Sequence, residues 1–177
     1  ARAFALAREA SRRHLGKLHY PVQILGGASM LAGRMIEMNT GEGKTITALL
    51  PAAAVALAGL PVHVITVNDY LAKRDAEDLA PAYEALGLSV GLIQHDHLPA
   101  ARRLAYGRDI VYCTNKELTF DYLRDRIALG QVRSRTRVQL EALLGERDLG
   151  RRLLLRGLFF GIVDEADSVM IDEARVP

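Results

Sequence analysis

The stretch Thr40-Gly-Glu-Gly-Lys-Thr45 places two glycines before a lysine and a hydroxyl side chain. The mostly apolar run before it, Met35–Met38, predicts a short strand, and the run Lys44–Ala58 predicts a helix. A glycine-rich turn between a strand and a helix is the context in which a loop binds phosphate. Gly41 and Gly43 would let backbone N–H groups point at the α- and β-phosphates, and the helix N-terminus adds partial positive charge. We therefore predict a phosphate-binding loop over residues 40–45.

The side chains of this loop suit a nucleotide and its metal ion. Lys44 would reach the β- and γ-phosphate oxygens, and Thr45 would offer its hydroxyl to Mg²⁺, a cation that prefers oxygen ligands. Thr40 and Glu42 complete the predicted nucleotide-binding loop. Met38 stands where the general pattern G-x-x-x-x-G-K-[ST] has its first glycine. On the loop alone, a glycine-rich helix N-terminus without a ligand remains the alternative.

A second candidate group follows the apolar run Leu158–Val163, which predicts a strand and ends in Asp164-Glu-Ala-Asp167. Carboxylates at the tip of a parallel strand lie at the sheet edge where ligands bind. We expect Asp164 to position Mg²⁺, partly through water, and Glu165 to orient or deprotonate the water that attacks the γ-phosphate. A solvated acidic turn is the alternative interpretation.

A third candidate group precedes the loop. The side-chain amide of Gln23 can donate to and accept from one base edge, which suits adenine, and Tyr20 could stack on the ring. The alternative for Gln23 is that its amide satisfies a buried backbone group.

The rest of the chain alternates short β-branched runs with longer helical stretches. Continuous apolar runs of this kind are typical of a parallel sheet covered on both faces, so the sequence predicts a doubly wound α/β domain. We assign residues 1–33 to an N-terminal helix and the adenine-contacting segment, and residues 34–177 to the nucleotide-binding fold. The further predicted strands are Val62–Val67, Val90–Gln94 and Ile110–Thr114, and the further helices are Arg2–Arg13, Tyr70–Leu86, Pro99–Tyr106 and Lys116–Ala128.

Composition narrows the function. The 177 residues are 50% hydrophobic with a formal charge of +2, so no strong overall field would attract nucleic acid or anionic lipid. Cys113 lies in an apolar run and is predicted to be buried. Residues of about 130–156 form an arginine-rich insert, for which a solvated helical face is favoured and a contact with anionic lipid or an acidic partner is the alternative.

Three other features concern membrane insertion, metal binding and the start of the chain. The run Ala48–Val67 lacks charged side chains, but Pro51 and Gly59 divide it into a core helix and a buried strand rather than a membrane span. His95 and His97 could ligate a metal, although a surface turn is favoured because no further ligands are evident. The chain begins at Ala1 without an initiator methionine, so we expect it to be a piece of a longer protein.

Several stretches together resemble one family, the SecA protein-translocation ATPases. They recur in the family's order across nearly the whole chain, and the family's loop also has a methionine at the position of Met38. The stretches are Val22-Gln-Ile-Leu-Gly-Gly27, Glu37-Met-Asn-Thr-Gly-Glu-Gly-Lys-Thr45, His63-Val-Ile-Thr-Val-Asn-Asp-Tyr-Leu-Ala-Lys-Arg-Asp75, Thr114-Asn115, Phe120-Asp-Tyr-Leu-Arg-Asp125 and Val163-Asp-Glu-Ala-Asp-Ser-Val-Met-Ile-Asp-Glu-Ala-Arg175.

The resemblance implies a RecA-like lobe of a two-lobed motor that uses ATP and Mg²⁺ to move unfolded secretory preproteins through the Sec membrane channel. It implies that Gln23 contacts adenine, that Gly41 to Thr45 bind the phosphates, and that Asp164 and Glu165 serve Mg²⁺ and water. The second lobe, which supplies an arginine to the transition state, is not in this chain, so we expect weak nucleotide binding rather than full ATPase activity. The implied location is cytoplasmic, peripherally associated with the inner face of the bacterial cell membrane, with no specific nucleic acid as a partner.

The chain departs from the family at Tyr20-Pro21, where Phe-Asp is usual, and in the long stretch 130–156, so a divergent SecA-like branch is one expectation. A DEAD-box-like RNA helicase lobe is an alternative, since a glutamine, a phosphate loop and Asp164-Glu-Ala-Asp167 are all present. Thr66-Val-Asn-Asp-Tyr70 stands where those helicases have a Pro-Thr-Arg-Glu-Leu type motif. A nucleotide-sensing module that binds ATP without hydrolysis is the third reading.

Overall fold

The computed structural model describes residues 1–129 and 153–172. Six α-helices and four strands are formed there, followed by a short π-helical turn over Ser168–Asp172. The helices are α1 (Arg2–Leu15), α2 (Pro21–Leu31), α3 (Lys44–Leu57), α4 (Asp69–Glu84), α5 (Pro99–Tyr106) and α6 (Asn115–Leu129), and the strands are β1 (Val62–Thr66), β2 (Val90–Leu92), β3 (Ile110–Thr114) and β4 (Phe160–Val163).

The four strands form one sheet in the order β2-β3-β1-β4, and all three pairings are parallel. In register, Val64 of β1 lies beside Tyr112 of β3 and Ile162 of β4. The carboxyl ends of β1, β3 and β4 therefore meet at one edge of the sheet, which is where ligands bind in folds of this kind.

Helices cover both faces of the sheet, as the continuous apolar strands predict. On one face, α3 and α4 pack over Val62, Val64 and Ile110 through side chains such as Leu50 and Leu79, and α1 packs on α3 and α4. On the other face, α5 and the segment around Leu154 cover Val111 and Cys113. Burial raises the pKa of the Cys113 thiol to about 12, so the cysteine is an inert core residue, as predicted. The doubly wound α/β class is confirmed.

One local prediction was wrong, and one helix was not predicted. Met35–Met38 is not a strand, because both neighbours of β1 are other strands and none of the described strands pairs with this segment. Met35 is 91% exposed, so its apolar side chain gains nothing from the sheet. Residues 21–31 form the helix α2, which the sequence analysis did not predict: Pro21 occupies the first turn, where its missing N–H costs nothing.

The remaining predicted elements agree with the structure to within a few residues, β2 being shorter and β4 beginning two residues later than expected. The run Ala48–Val67 divides into the end of α3 and the strand β1, as predicted. No helix within residues 1–129 and 153–172 is long and apolar enough to cross a membrane. Most of the arginine-rich insert, residues 130–152, lies outside the described residues.

Candidate functional site

The predicted phosphate loop is built on two left-handed glycines. Gly41 has φ 87° and Gly43 has φ 81°, a region that side chains other than glycine rarely adopt. Gly43 is also the N-cap of α3, and a Cβ there would lie 2.6 Å from Gln23 Nε2 and 3.0 Å from Ile46 Cγ2. Position 43 therefore requires glycine both for its backbone angle and for its space.

The loop lies at the ligand-binding edge of the sheet. Only residues 58–61 link the end of α3 to the start of β1, so the C-terminus of α3 lies at the amino edge and its N-terminus points to the carboxyl edge. Among the residues that the structure describes, no side chain caps α3, which leaves its first N–H groups available to an anion. Lys44 is exposed and forms no ion pair or hydrogen bond with any described residue, and Thr45 beside it is half-buried.

The side chain of Glu42 stabilises the loop by hydrogen bonds within it. Its carboxylate accepts hydrogen bonds from the Asn39 backbone N–H at 2.8 Å and from Asn39 Nδ2 at 3.3 Å. The side chain of Glu42 therefore shapes the turn, and Thr40, at its tip, is exposed. The predicted loop residues 40–45 are thus brought together as one turn in front of α3.

Gln23 joins this loop from α2. Its Nε2 donates to the Glu42 carbonyl at 2.7 Å, and its Oε1 accepts from the Tyr20 backbone N–H at 3.0 Å. The side chain is buried and satisfies two backbone groups, as the alternative interpretation expected, and one N–H of its amide is still unused. Contact with adenine stays a prediction, as does stacking by Tyr20, which is 70% exposed.

His19 fastens the same segment to α3. Its Nε2 lies 2.7 Å from the carbonyl of Ile46, in the first turn of α3, so Nε2 carries the proton. Burial lowers the pKa of this imidazole, which keeps it neutral. The sequence pattern gave no indication of this role for His19. Together with Gln23 it ties residues 19–23 to the phosphate loop.

The strand-tip acids lie directly after β4. The Asp164 backbone N–H donates to the Ile65 carbonyl at 2.9 Å, which extends the pairing of β4 with β1 and fixes the half-buried Asp164 at the sheet edge. Its Oδ1 accepts from the Glu165 backbone N–H at 3.0 Å. Glu165 has φ 53°, the one left-handed non-glycine among the described residues, and its side chain is exposed. Strained backbone of this kind is concentrated at functional sites.

A cleft of about 430 Å³ connects the loop to α4. Three polar side chains of α4 that the sequence analysis did not single out lie in it: Arg74, Asp75 and Asp78. Burial raises the pKa of the Asp75 carboxyl, the hydrogen bond and charge of Arg74 oppose that shift, and the charges of Asp164 and Asp78 add to it. The lining residues are Lys17, Gly43, Thr45, Ile46, Arg74, Asp75, Asp78 and Leu79.

The two histidines of the turn after β2 have protein partners. His95 Nδ1 lies 3.2 Å from Glu117 Oε1, and His97 Nδ1 accepts from the Gln94 backbone N–H at 3.4 Å. No group of three potential metal ligands occurs in the part of the chain that the structure describes. The surface turn favoured by the sequence is what the structure has.

An all-parallel sheet with a glycine loop and acidic strand tips at its carboxyl edge defines an α/β domain of the RecA-like class. Comparison with known proteins narrows this class. The model of the SecA DEAD-like domain matches residues 1–177, and the chain belongs to that family.

Named relatives agree with the family. The chain is 62% identical over its whole length to a protein translocase subunit SecA 2 of Bordetella avium, of which it covers 27%. It is 59% identical to a SecA 2 of Nitrosospira multiformis over 98% of the chain and 26% of the relative. A protein translocase subunit SecA of Thermus thermophilus is 50% identical over 99% of the chain and 16% of the relative. The chain thus spans about a quarter or less of the length of these relatives, and the RNA-helicase alternative is not favoured.

Proposed function

We propose that this chain is the ATP-binding lobe of a SecA-type motor. The observation that carries the proposal is the 62% identity to a protein translocase subunit over the whole chain. The cleft supports it, since Gly43 and Thr45 of the predicted loop line it.

The residues present fit ATP with Mg²⁺. The uncapped N-terminus of α3 and the unpaired Lys44 would bind the phosphates, and the space at Gly43 would be lost to any larger residue. The hydroxyl of Thr45 and the carboxylate of Asp164 are oxygen ligands of the kind Mg²⁺ prefers. When bound, the ion neutralises charge on the phosphates during transfer.

Hydrolysis would use the acids that follow β4. The Glu165 N–H donates to the Asp164 carboxylate, and this hydrogen bond would orient the carboxylate before a ligand arrives. The exposed carboxylate of Glu165 would orient the attacking water and take its proton. Arg74, at the rim of the same cleft, adds a cation that the phosphates can meet.

In the whole protein, we propose, hydrolysis drives unfolded secretory preproteins through the Sec membrane channel. A second motor lobe would complete the site, and the protein would act on the cytoplasmic side of the membrane, peripherally attached to it. Anionic lipid is a further candidate contact for the arginine-rich stretch of about 130–156. Specific nucleic acid is not among the proposed partners.

The direct test titrates the ATPase activity of the full-length protein. We expect stimulation by channel-containing membranes together with an unfolded preprotein, and none by RNA. Stimulation by RNA alone would instead support a helicase, and binding of ATP without turnover under every condition would support a nucleotide sensor.

Lys44→Ala tests the assignment of the loop. Because the ammonium is exposed and unpaired in the structure, its removal should leave the fold intact and abolish the ATP affinity measured by calorimetry. Thermal unfolding of the variant serves as the control. Unchanged ATP binding would show that the loop is not the phosphate site.

A further inference from the structure

Arg74 and Asp75 form an ion pair that adjacent helix positions do not ordinarily make. Successive residues of an α-helix point about 100° apart, so positions i and i+1 do not face each other. In α4, however, Asp75 Oδ1 accepts from Arg74 Nε at 2.9 Å and from Arg74 Nη2 at 2.6 Å. The guanidinium must therefore bend back over the helix surface to reach its neighbour.

The two partners differ in freedom. The side chain of Asp75 is 4% exposed, whereas that of Arg74 is 44% exposed. A buried carboxylate has one position, and a long exposed arginine has many. Asp75 is therefore the fixed partner, and it selects the conformation that Arg74 adopts.

That conformation places the guanidinium in the cleft. Arg74 and Asp75 both line it, together with Gly43 and Thr45 of the phosphate loop. Two of the five N–H donors of Arg74 are used on Asp75, and the described residues supply no partner for the other three. An arginine held in this way has already lost the rotamer freedom that ligand binding would otherwise cost.

We propose that Asp75 is a positioning residue, which holds the Arg74 guanidinium in the cleft so that its free donors meet the phosphates of the nucleotide. The inference rests on the proposed function, because it takes the cleft to be the nucleotide site. Loss of the Asp75 carboxylate should therefore weaken the binding of ligands that carry phosphate and leave the binding of adenosine unchanged. The effect should disappear when Arg74 is absent.

The other charges that face this pair supply the control. Asp78 lies one turn further along α4, lines the same cleft and contributes to the field at Arg74, but no hydrogen bond joins the two side chains. The charge of Asp164, which follows β4, acts on Asp75. Asp78→Asn therefore removes one charge from the cleft without releasing Arg74.

The experiment measures binding of ATP, ADP and adenosine to the full-length protein for Asp75→Asn, Arg74→Ala and the double variant. Asparagine keeps the size of the side chain but weakens the grip on the guanidinium, so we expect ATP and ADP to bind about fivefold more weakly. Adenosine should bind as to the wild type. The double variant should bind ATP no more weakly than Arg74→Ala, because Asp75 has nothing left to position.

Arg74→Lys keeps the inference testable should Asp75→Asn fail to fold. It retains the charge at an exposed position but lacks the fork that Asp75 orients, so it should bind ATP as poorly as Arg74→Ala. Wild-type affinity in Arg74→Lys would overturn the proposal. So would a loss in Asp75→Asn that is equal for adenosine, additive with Arg74→Ala, or matched by Asp78→Asn.

Lys44→Ala shows whether a negative result concerns only the positioning role of Asp75 or the nucleotide site as a whole. If Lys44→Ala abolishes ATP binding while Asp75→Asn leaves it unchanged, the positioning role alone is wrong. If Lys44→Ala also binds ATP normally, the nucleotide site itself is misplaced.

Discussion

Two charged regions of the domain use their charges in opposite ways. At the phosphate loop, Lys44 and Glu165 are exposed and have no charged partner among the described residues. Between α5 and α6, Arg102 is 2% exposed and forms ion pairs with Glu117 and Asp121. A charge left without a partner at a sheet edge is available to a ligand, whereas a buried and fully paired charge can only hold the protein together.

The buried cluster explains the orientation of α6. Glu117, Asp121 and Asp125 recur at helical spacing and all point inward. Asp121 accepts from Tyr106 Oη at 2.9 Å, and Asp125 accepts the backbone N–H groups of residues 154 and 155, each at 2.8 Å. The cluster thus joins α5, α6 and the segment that leads into β4, and it supports the strand whose tip carries Asp164.

The largest change in the free energy of unfolding is expected in the buried cluster. One matched pair of substitutions, Arg102→Met and Lys44→Met, compares this cluster with the phosphate loop. Arg102→Met leaves Glu117 and Asp121 buried without their cation, so it should lower the free energy of unfolding by about 3–5 kcal/mol. Lys44→Met should change it by less than about 0.5 kcal/mol, because the lysine is exposed. Urea unfolding of the chain measures both.

Arg103→Met is the control for Arg102, since Arg103 is exposed and, among the described residues, hydrogen-bonds only to the Leu153 carbonyl, at 3.1 Å. Comparable losses from Arg102→Met and Lys44→Met would erase the distinction between a structural and a ligand-binding charge.

An intermediate effect is expected from acid. Burial, aided by the charge of Arg156, lowers the pKa of His63 in β1 to about 4. Between about pH 6.5 and pH 4 the unfolded chain then binds a proton that the folded chain does not, so stability falls on acidification by up to about 3 kcal/mol. His19, whose pKa burial also lowers, acts in the same direction.

Urea unfolding between pH 7 and pH 4 checks this dependence. His63→Leu should flatten the slope, and the same change at His14, an exposed residue at the end of α1, should not. Parallel slopes for wild type and His63→Leu would show that the buried histidine does not control acid stability.

The smallest effect on stability is expected at the loop itself. Gly43→Ala imposes a left-handed backbone on alanine and forces Gln23 aside, at a cost of about 1–3 kcal/mol. Gly59→Ala, with φ 80° and no heavy atom within 4 Å of the new Cβ, carries the backbone strain alone. ATP titrations should show at least a tenfold loss of affinity for Gly43→Ala and no loss for Gly59→Ala. Equal affinities of the two variants would mean that ATP binding does not depend on the glycine at position 43.

Much of this fold could be predicted because its signals are local. The apolar runs of β1 and β3 and the glycines before Lys44 each follow from a few neighbouring residues. Met35–Met38 has a strand-like composition, but strand formation depends on a partner strand, which local sequence does not contain. The order of the strands in the sheet could not be predicted for the same reason, because it depends on contacts between residues that are distant in the sequence.

The sequence predicted the chemical character of the candidate site but not all of the residues that line it. Lys44 and Asp164 could be named because each lies at the end of a recognisable element. Arg74 and Asp75 lie inside α4, where a charged pair looks like ordinary helix surface, and only the packing of α4 on the sheet brings them to the phosphate loop. Their place in a stretch that resembles the SecA family was the one available signal.

The central claim is that the loop and the strand-tip acids form one site for a single ligand. A crystal structure of the full-length protein with Mg²⁺ and a non-hydrolysable ATP analogue tests it most directly. We expect Lys44 Nζ within hydrogen-bonding distance of the β- or γ-phosphate, and a magnesium ion bound to Thr45 Oγ1 and, directly or through water, to Asp164. A nucleotide bound elsewhere, or phosphates that contact Lys44 while Asp164 lies too far away to share the ion, would contradict the claim.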